Sequence, residues 1–201
     1  MATTIADLLT AIRYRLVDPD KTDYSDAELT SYLKDAHKAI YMTVAQLKPE
    51  LVRVKEIGTT VPDTSTITLL GGILLSKVAL WIEGQKIPAV NPEEFSDNED
   101  KGRPTSFWTA GFEAIELYPV PDGEYQYTVK YVPHPTSTFG TESPWPSGFD
   151  PFLVEFAVAR AGLRNEADMT QEAGFMANWQ SKLVDALGSV DRGEGIVRGY
   201  W

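Results

Sequence analysis

His37 and His134 are the only imidazoles among 201 residues, and there is no cysteine. A zinc site would have to form without thiolates and from histidines in separate segments. Asp18, Asp20, Asp23 and Asp26 cluster as the ligands of a calcium loop do. Counted from Asp18, such a loop needs glycine at its sixth position and glutamate at its twelfth. Asp23 and Leu29 stand there, and helix capping explains the cluster better. The run Asp97–Asp100 carries ligands for a divalent ion but reads as solvated charge. The Gly-x-Ser-x-Gly turn of a hydrolase nucleophile is absent. Gly71-Gly72 lacks the lysine and the helix of a phosphate loop and reads as a flexible turn.

Carbohydrate chemistry is the remaining enzymatic candidate. The 29 acidic residues supply many carboxylate pairs, but only geometry selects a pair for glycoside hydrolysis. Trp108, Phe112, Trp145 and Phe149 lie in expected loop regions where they could stack on sugars. Such residues are more commonly core or interface anchors. No catalytic residue, cofactor or metal is assigned, and the chain reads as a non-enzyme.

The end of the chain, "RGEGIVRGYW", points elsewhere. Three glycines keep it from holding a helix, yet Ile196, Val197, Tyr200 and Trp201 gain by leaving water. It either folds back on its own body or docks on a partner, and Tyr and Trp are favoured interface anchors. The formal charge of −11 repels phosphate backbones, which argues against ordinary nucleic-acid binding. Asp7, Arg13 and Arg15 interrupt the N-terminal apolar pattern, so neither a signal peptide nor a membrane span is expected.

The elements that must position these residues follow from periodicity. Ile5, Leu8, Leu9, Ile12 and Leu16 form one helical stripe, with Thr4 as N-cap and Asp18-Pro19 as the stop. Ser25 and Glu28 form a capping box for a second helix. Its face carries Leu29, Leu33, Ala36, Ile40, Val44 and Leu47, and it ends before Pro49. His37 is expected at the surface of this helix. From residue 51 the pattern changes to β-branched, alternating runs. Hairpins are predicted around Glu83-Gly84-Gln85 and Ala110-Gly111, a turn at Pro121-Asp122-Gly123 and a strand in "EYQYTVKYV". Between the strands lies an acidic loop with Glu93, Glu94, Phe95, Asp97, Glu99 and Asp100, a candidate tail- or neighbour-facing surface. Helix returns with Asp150 as cap and Pro151 at the first helical position, its inner face made by Leu153, Phe156, Ala157 and Ala161. A last helix carries Glu172, Met176, Trp179, Leu183 and Leu187 and is expected to end at Gly188.

The predicted fold class is α+β. The N- and C-terminal helix pairs would form a four-helix bundle, with a β-rich insertion and an extended C-terminal arm. The divisions are 1–50 for the first helix pair and 51–135 for the insertion. Residues 136–190 hold a linker and the second pair, and 191–201 form the arm.

Three blocks carry a resemblance: "YSDAELTSYLKDAHKAIY", "GRPTSFWTAGFEAIELYPVPDGEYQYTVKYVPHP" and "WPSGFDPFLVEFAVARAGLRNEADMTQEAGFMANWQSKL". The central block places Gly102, Pro104, Ile115, Leu117, Pro119, Pro121, Tyr127, Val129 and Tyr131 in a family pattern. The chain resembles the head-to-tail adaptors of tailed phages, especially short-tailed ones, including the tubular-A-like head-completion proteins. That resemblance implies a dodecameric ring under the portal protein, in the virion neck, made in the host cytoplasm. It implies a downstream tail or nozzle protein as partner, passage of double-stranded DNA without sequence-specific binding, and no membrane. Ile196, Val197, Arg198, Tyr200 and Trp201 then become candidates for a portal-docking arm. A lumen lined with carboxylates would let DNA slide. The rivals are another neck or tail ring protein, a carbohydrate-binding or carbohydrate-active domain, and a free-standing bacterial α+β domain.

Overall fold

The computed structural model describes residues 3–74, 78–94, 100–135, 140–163 and 169–191. It is a mixed α+β structure divided into two compact units, residues 1–46 with 136–201 and residues 47–135. The described residues contain four α-helices and two antiparallel sheets.

The first unit takes both ends of the chain. Helix α1 (Ile5–Leu16) starts where Thr4 Oγ1 accepts from the Asp7 N–H at 3.1 Å. It buries Leu8 and Ile12 and stops at Val17, a non-glycine residue with φ of 57°. Helix α2 (Asp26–Leu47) starts where Ser25 Oγ accepts from the Glu28 N–H at 3.2 Å. Its stripe from Leu29 to Val44 is buried, but Leu47 at its end is exposed. Each fully buried leucine or isoleucine contributes about 1.5–3 kcal/mol relative to exposure.

Helix α3 (Asp150–Gly162) packs against both α1 and α4 (Met169–Asp191). The α3–α4 contact is specific. Trp179 Nε1 donates to the Phe152 carbonyl at 3.0 Å, its ring meets Phe156 edge-on, and Lys182 reaches Glu155 at 2.8 Å. Two terminal expectations change. Asp150 is the first helical residue rather than the cap. Gly188 lies inside α4 rather than ending it, because burial of neighbouring Leu187 outweighs the cost of about 1 kcal/mol for glycine in a helix.

The segment before α3 is tied to the N-terminus. Ile5 N–H donates to the Thr141 carbonyl, Ser143 N–H donates to the Thr3 carbonyl, and Thr3 Oγ1 donates to Asp150.

The described residues of the second unit form seven strands: β1 (Val54–Thr59), β2 (Thr66–Thr68), β3 (Ala79–Ile82), β4 (Gln85–Ile87), β5 (Ser106–Ala110), β6 (Ala114–Tyr118) and β7 (Gln126–Tyr131). They form one sheet in the order β1-β7-β3-β4 and another in the order β2-β6-β5. The β3–β4 hairpin turns on Glu83 and Gly84, with φ of 50° and 79°, the pair of positive angles a two-residue turn of this hand requires. Alternation sends Leu80, Ile82, Val129 and Tyr131 of the first sheet and Ile67, Ile115, Leu117 and Phe107 of the second into a single core. At one margin the sheets touch directly, through Phe107 N–H to the Pro88 carbonyl and Val90 N–H to the Phe107 carbonyl.

Candidate docking surfaces

Several of the residues whose types suggested chemistry are used for packing. Arg13 is buried and organises the acidic cluster. Its guanidinium lies 2.8 Å from Asp18 Oδ2 and 2.7 Å from Asp26 Oδ1, and it donates to the Tyr24 carbonyl. Asp18, also buried, accepts from the backbone N–H groups of Thr22, Asp23 and Tyr24. Burial pushes the Asp18 carboxyl upward and is the largest single influence. The three N–H groups and Arg13 together outweigh it and hold the carboxyl below its ordinary value. Asp26 is lowered by its hydrogen bonds from Lys21 and Arg13. The cluster is thus an Arg13-centred loop anchor, rather than the set of helix caps expected. Among the described residues no three metal-ligating side chains converge.

His37 is buried, not at the surface. Its Nδ1 accepts from Trp145 Nε1 at 2.9 Å, and both rings pack with Tyr41. Trp145 also stacks at 5.1 Å on Phe149. Two of the four aromatics offered as sugar platforms are therefore core residues. Of the other two, Trp108 is half-buried on β5, and Phe112, in the β5–β6 turn, is 75% exposed and edge-on to His134. Gly71 and Gly72 form a fixed turn with φ of 79° and 70°, and a Cβ on Gly72 would come within 2.7 Å of the Phe112 carbonyl oxygen.

The acidic loop begins with a short 3-10 turn over Pro92–Glu94, where Glu93 N–H donates to Asn91. It returns at Asp100, which accepts from the Tyr118 hydroxyl at 2.8 Å. That bond is the first cause of a raised Tyr118 hydroxyl pKa. Phe95, Asp97 and Glu99 lie outside the described residues, as do Ile196, Val197, Arg198, Tyr200 and Trp201.

A surface that the sequence reading missed is the outer face of the β1-β7-β3-β4 sheet. Lys55 stands directly opposite Lys130, which stands opposite Ala79. Ile57, Thr128, Trp81 and Lys86 form the next row. The Lys130 ammonium sits 5.1 Å from the centre of the Trp81 ring. The alternation in "VKEIGT" and "QYTVKY" puts each lysine outward on its own strand, but only the register brings them together.

The outer face of β2-β6-β5 has the opposite character. Glu116 is flanked by Thr66 and Trp108, and Tyr118 carries Asp100 beside it. None of these three strands contains Lys or Arg. Lys101, next to this face, is ion-paired with Asp63 at 2.6 Å.

The chain is thus an α+β protein in which Arg13, Asp18, His37, Trp145 and Phe149 are buried in packing and whose β unit carries lysines on one outer sheet face and Glu116 on the other. The family model described as SU10 adaptor protein matches residues 3–199. The chain belongs to that family of structural phage adaptors, which join other head and tail proteins of the virus. No curated protein matches it. Among the described residues no helix is long and apolar enough to cross a membrane.

Proposed function

We propose that the chain is a head-to-tail adaptor in the neck of the virion, placed as the head-completion connectors of short-tailed phages are. Copies form a dodecameric ring under the portal protein. The ring extends the DNA channel and gives the downstream tail or nozzle protein its platform. The arm residues Ile196, Val197, Arg198, Tyr200 and Trp201 dock on the portal, and the loop Glu93–Asp100 faces the tail or a neighbouring copy. Double-stranded DNA passes without sequence-specific contact, favoured by a net charge of −11 that repels phosphate.

The observation that carries this reading is the family match across residues 3–199, which takes in Ile196, Val197 and Arg198. The apolar content of the arm supports its role, because Tyr and Trp anchor interfaces while the glycines permit an extended path.

The test mixes purified full-length chain, and a version ending at Gly193, with the portal ring of the same genome. Electron microscopy should show a second stacked ring with the full-length chain only. A ring with both versions keeps the adaptor and removes the arm from the portal contact. No ring with either overturns the portal-docking reading.

A further inference from the structure

We propose that the two outer sheet faces of the β unit are the two halves of the contact between neighbouring copies, the lysine face of one copy seating on the Glu116 face of the next. The proposal rests on the ring reading above and names the surfaces that build the ring.

The first observation is an unneutralised repulsion. Lys55 and Lys130 are Cα partners on β1 and β7, and like charges directly opposite on a strand pair destabilise the pair. Lys130 is partly accommodated by the Trp81 ring, but neither Lys55 nor Lys86 forms a salt bridge among the described residues. The one carboxylate of β1, Glu56, is turned to the other side, where it meets Tyr131. A sheet face that gathers three ammonium groups with no salt bridge among the described residues suits an anionic partner.

The second observation identifies that partner. The two sheets share one core, so their outer faces look away from each other. One carries Lys55, Lys86 and Lys130 around Trp81; the other carries Glu116 and Asp100 around Trp108 and Tyr118. Each has strand hydroxyls, and the signs are complementary. A surface that fits the opposite side of an identical molecule makes a head-to-tail contact, the kind of contact that builds a ring when the rotation between copies closes. Ile57, 55% exposed in the lysine face, adds apolar area to the same contact.

The test uses a phage whose own copy of this chain is inactivated and whose adaptor is supplied by the host cell. One variant carries Lys55→Glu with Lys86→Glu, and the other carries Glu116→Lys with Asp100→Asn. Thermal melting of each purified variant checks folding. If the lysine variant fails to fold, Lys55→Gln with Lys86→Gln replaces it, and its ring should dissociate at lower salt than the wild type.

Each reversed variant alone should lower infectious titre about a hundredfold or more, because like-charged faces now meet. Supplied together they should recover to within about tenfold of wild type, since alternating copies restore opposite charges at every contact. Normal titre from either variant alone overturns the proposal, as does loss without recovery in two folded variants. Loss confined to the lysine variant assigns that face to DNA phosphates instead, and also overturns it. These failures leave the ring intact as a reading. Wild-type necks that show no ring of copies by electron microscopy remove the ring itself.

Discussion

The Tyr131 hydroxyl on β7 lies 3.0 Å from the Glu56 carboxylate on β1, two residues along the strand from Val54, the residue paired with Tyr131. The same oxygen lies 2.7 Å from the Leu70 carbonyl. One phenol therefore joins the edge of the four-stranded sheet to the chain leaving β2.

Tyr131→Phe should cost about 1–3 kcal/mol, since it removes the hydroxyl that meets the Glu56 carboxylate and the Leu70 carbonyl. Burial first, then the hydrogen bond to Glu56, pushes the hydroxyl up to about 12. Because the folded value is raised, the contribution is complete below the ordinary phenol value and is lost as pH rises through about 12. Urea melts of both proteins at pH 7 and 11, with absorbance titration of the tyrosines, check the difference. A Tyr131→Phe protein as stable as wild type at pH 7 would refute the assignment.

Arg13 and Asp18 should dominate the acid limb of stability. The folded Asp18 value is lowered, so its contribution is present above the ordinary carboxyl value and fades as pH falls through the folded one. Asp18→Asn should lower the melting temperature at pH 7 and flatten its fall between pH 5 and 2. Calcium should not move the melting temperature, because Arg13 and backbone N–H groups already occupy the carboxylate. A calcium-dependent rise would restore the metal reading.

The hydrogen bond from Trp145 to His37 is open to a double-mutant cycle. Trp145→Phe and His37→Leu should each destabilise by about 1–3 kcal/mol, because each leaves a buried polar partner or a misfit. The double variant should lose less than the sum, with a coupling of about 0.5–3 kcal/mol. Additive losses would mean that the two residues do not share the bond.

Two left-handed positions should respond in opposite directions. Val17, with φ of 57° and a side chain 85% exposed, holds a conformation its Cβ disfavours, at a cost of about 1–2 kcal/mol. Val17→Gly should recover much of that at the end of α1. Gly72→Ala should be destabilising, since its Cβ meets the Phe112 carbonyl oxygen at 2.7 Å in addition to the positive φ. Chemical melts of the two variants, read side by side, decide both.

What was legible in the sequence was local. The Thr4 and Ser25 caps, the Glu83-Gly84 turn and the stop before Pro49 each depend on residues a few positions apart, and each is found where its chemistry places it. His37 was misread because its partner Trp145 is 108 positions away, and periodicity says nothing about such pairs. Lys55 and Lys130 escaped notice for the same reason, since strand register makes them neighbours. The Asp18 cluster was visible as a cluster, but its purpose depends on the burial of Arg13.

The β unit leaves the rest of the chain through two strands that pair with each other, since Val54 near its start lies opposite Tyr131 near its end. Val54 and Tyr131 are therefore neighbours in space, each a few residues from the limits of one continuous segment, residues 47–135. Such a segment can be exchanged as a cassette. Recombination that replaces it with another module of paired end strands preserves the spacing of the junctions.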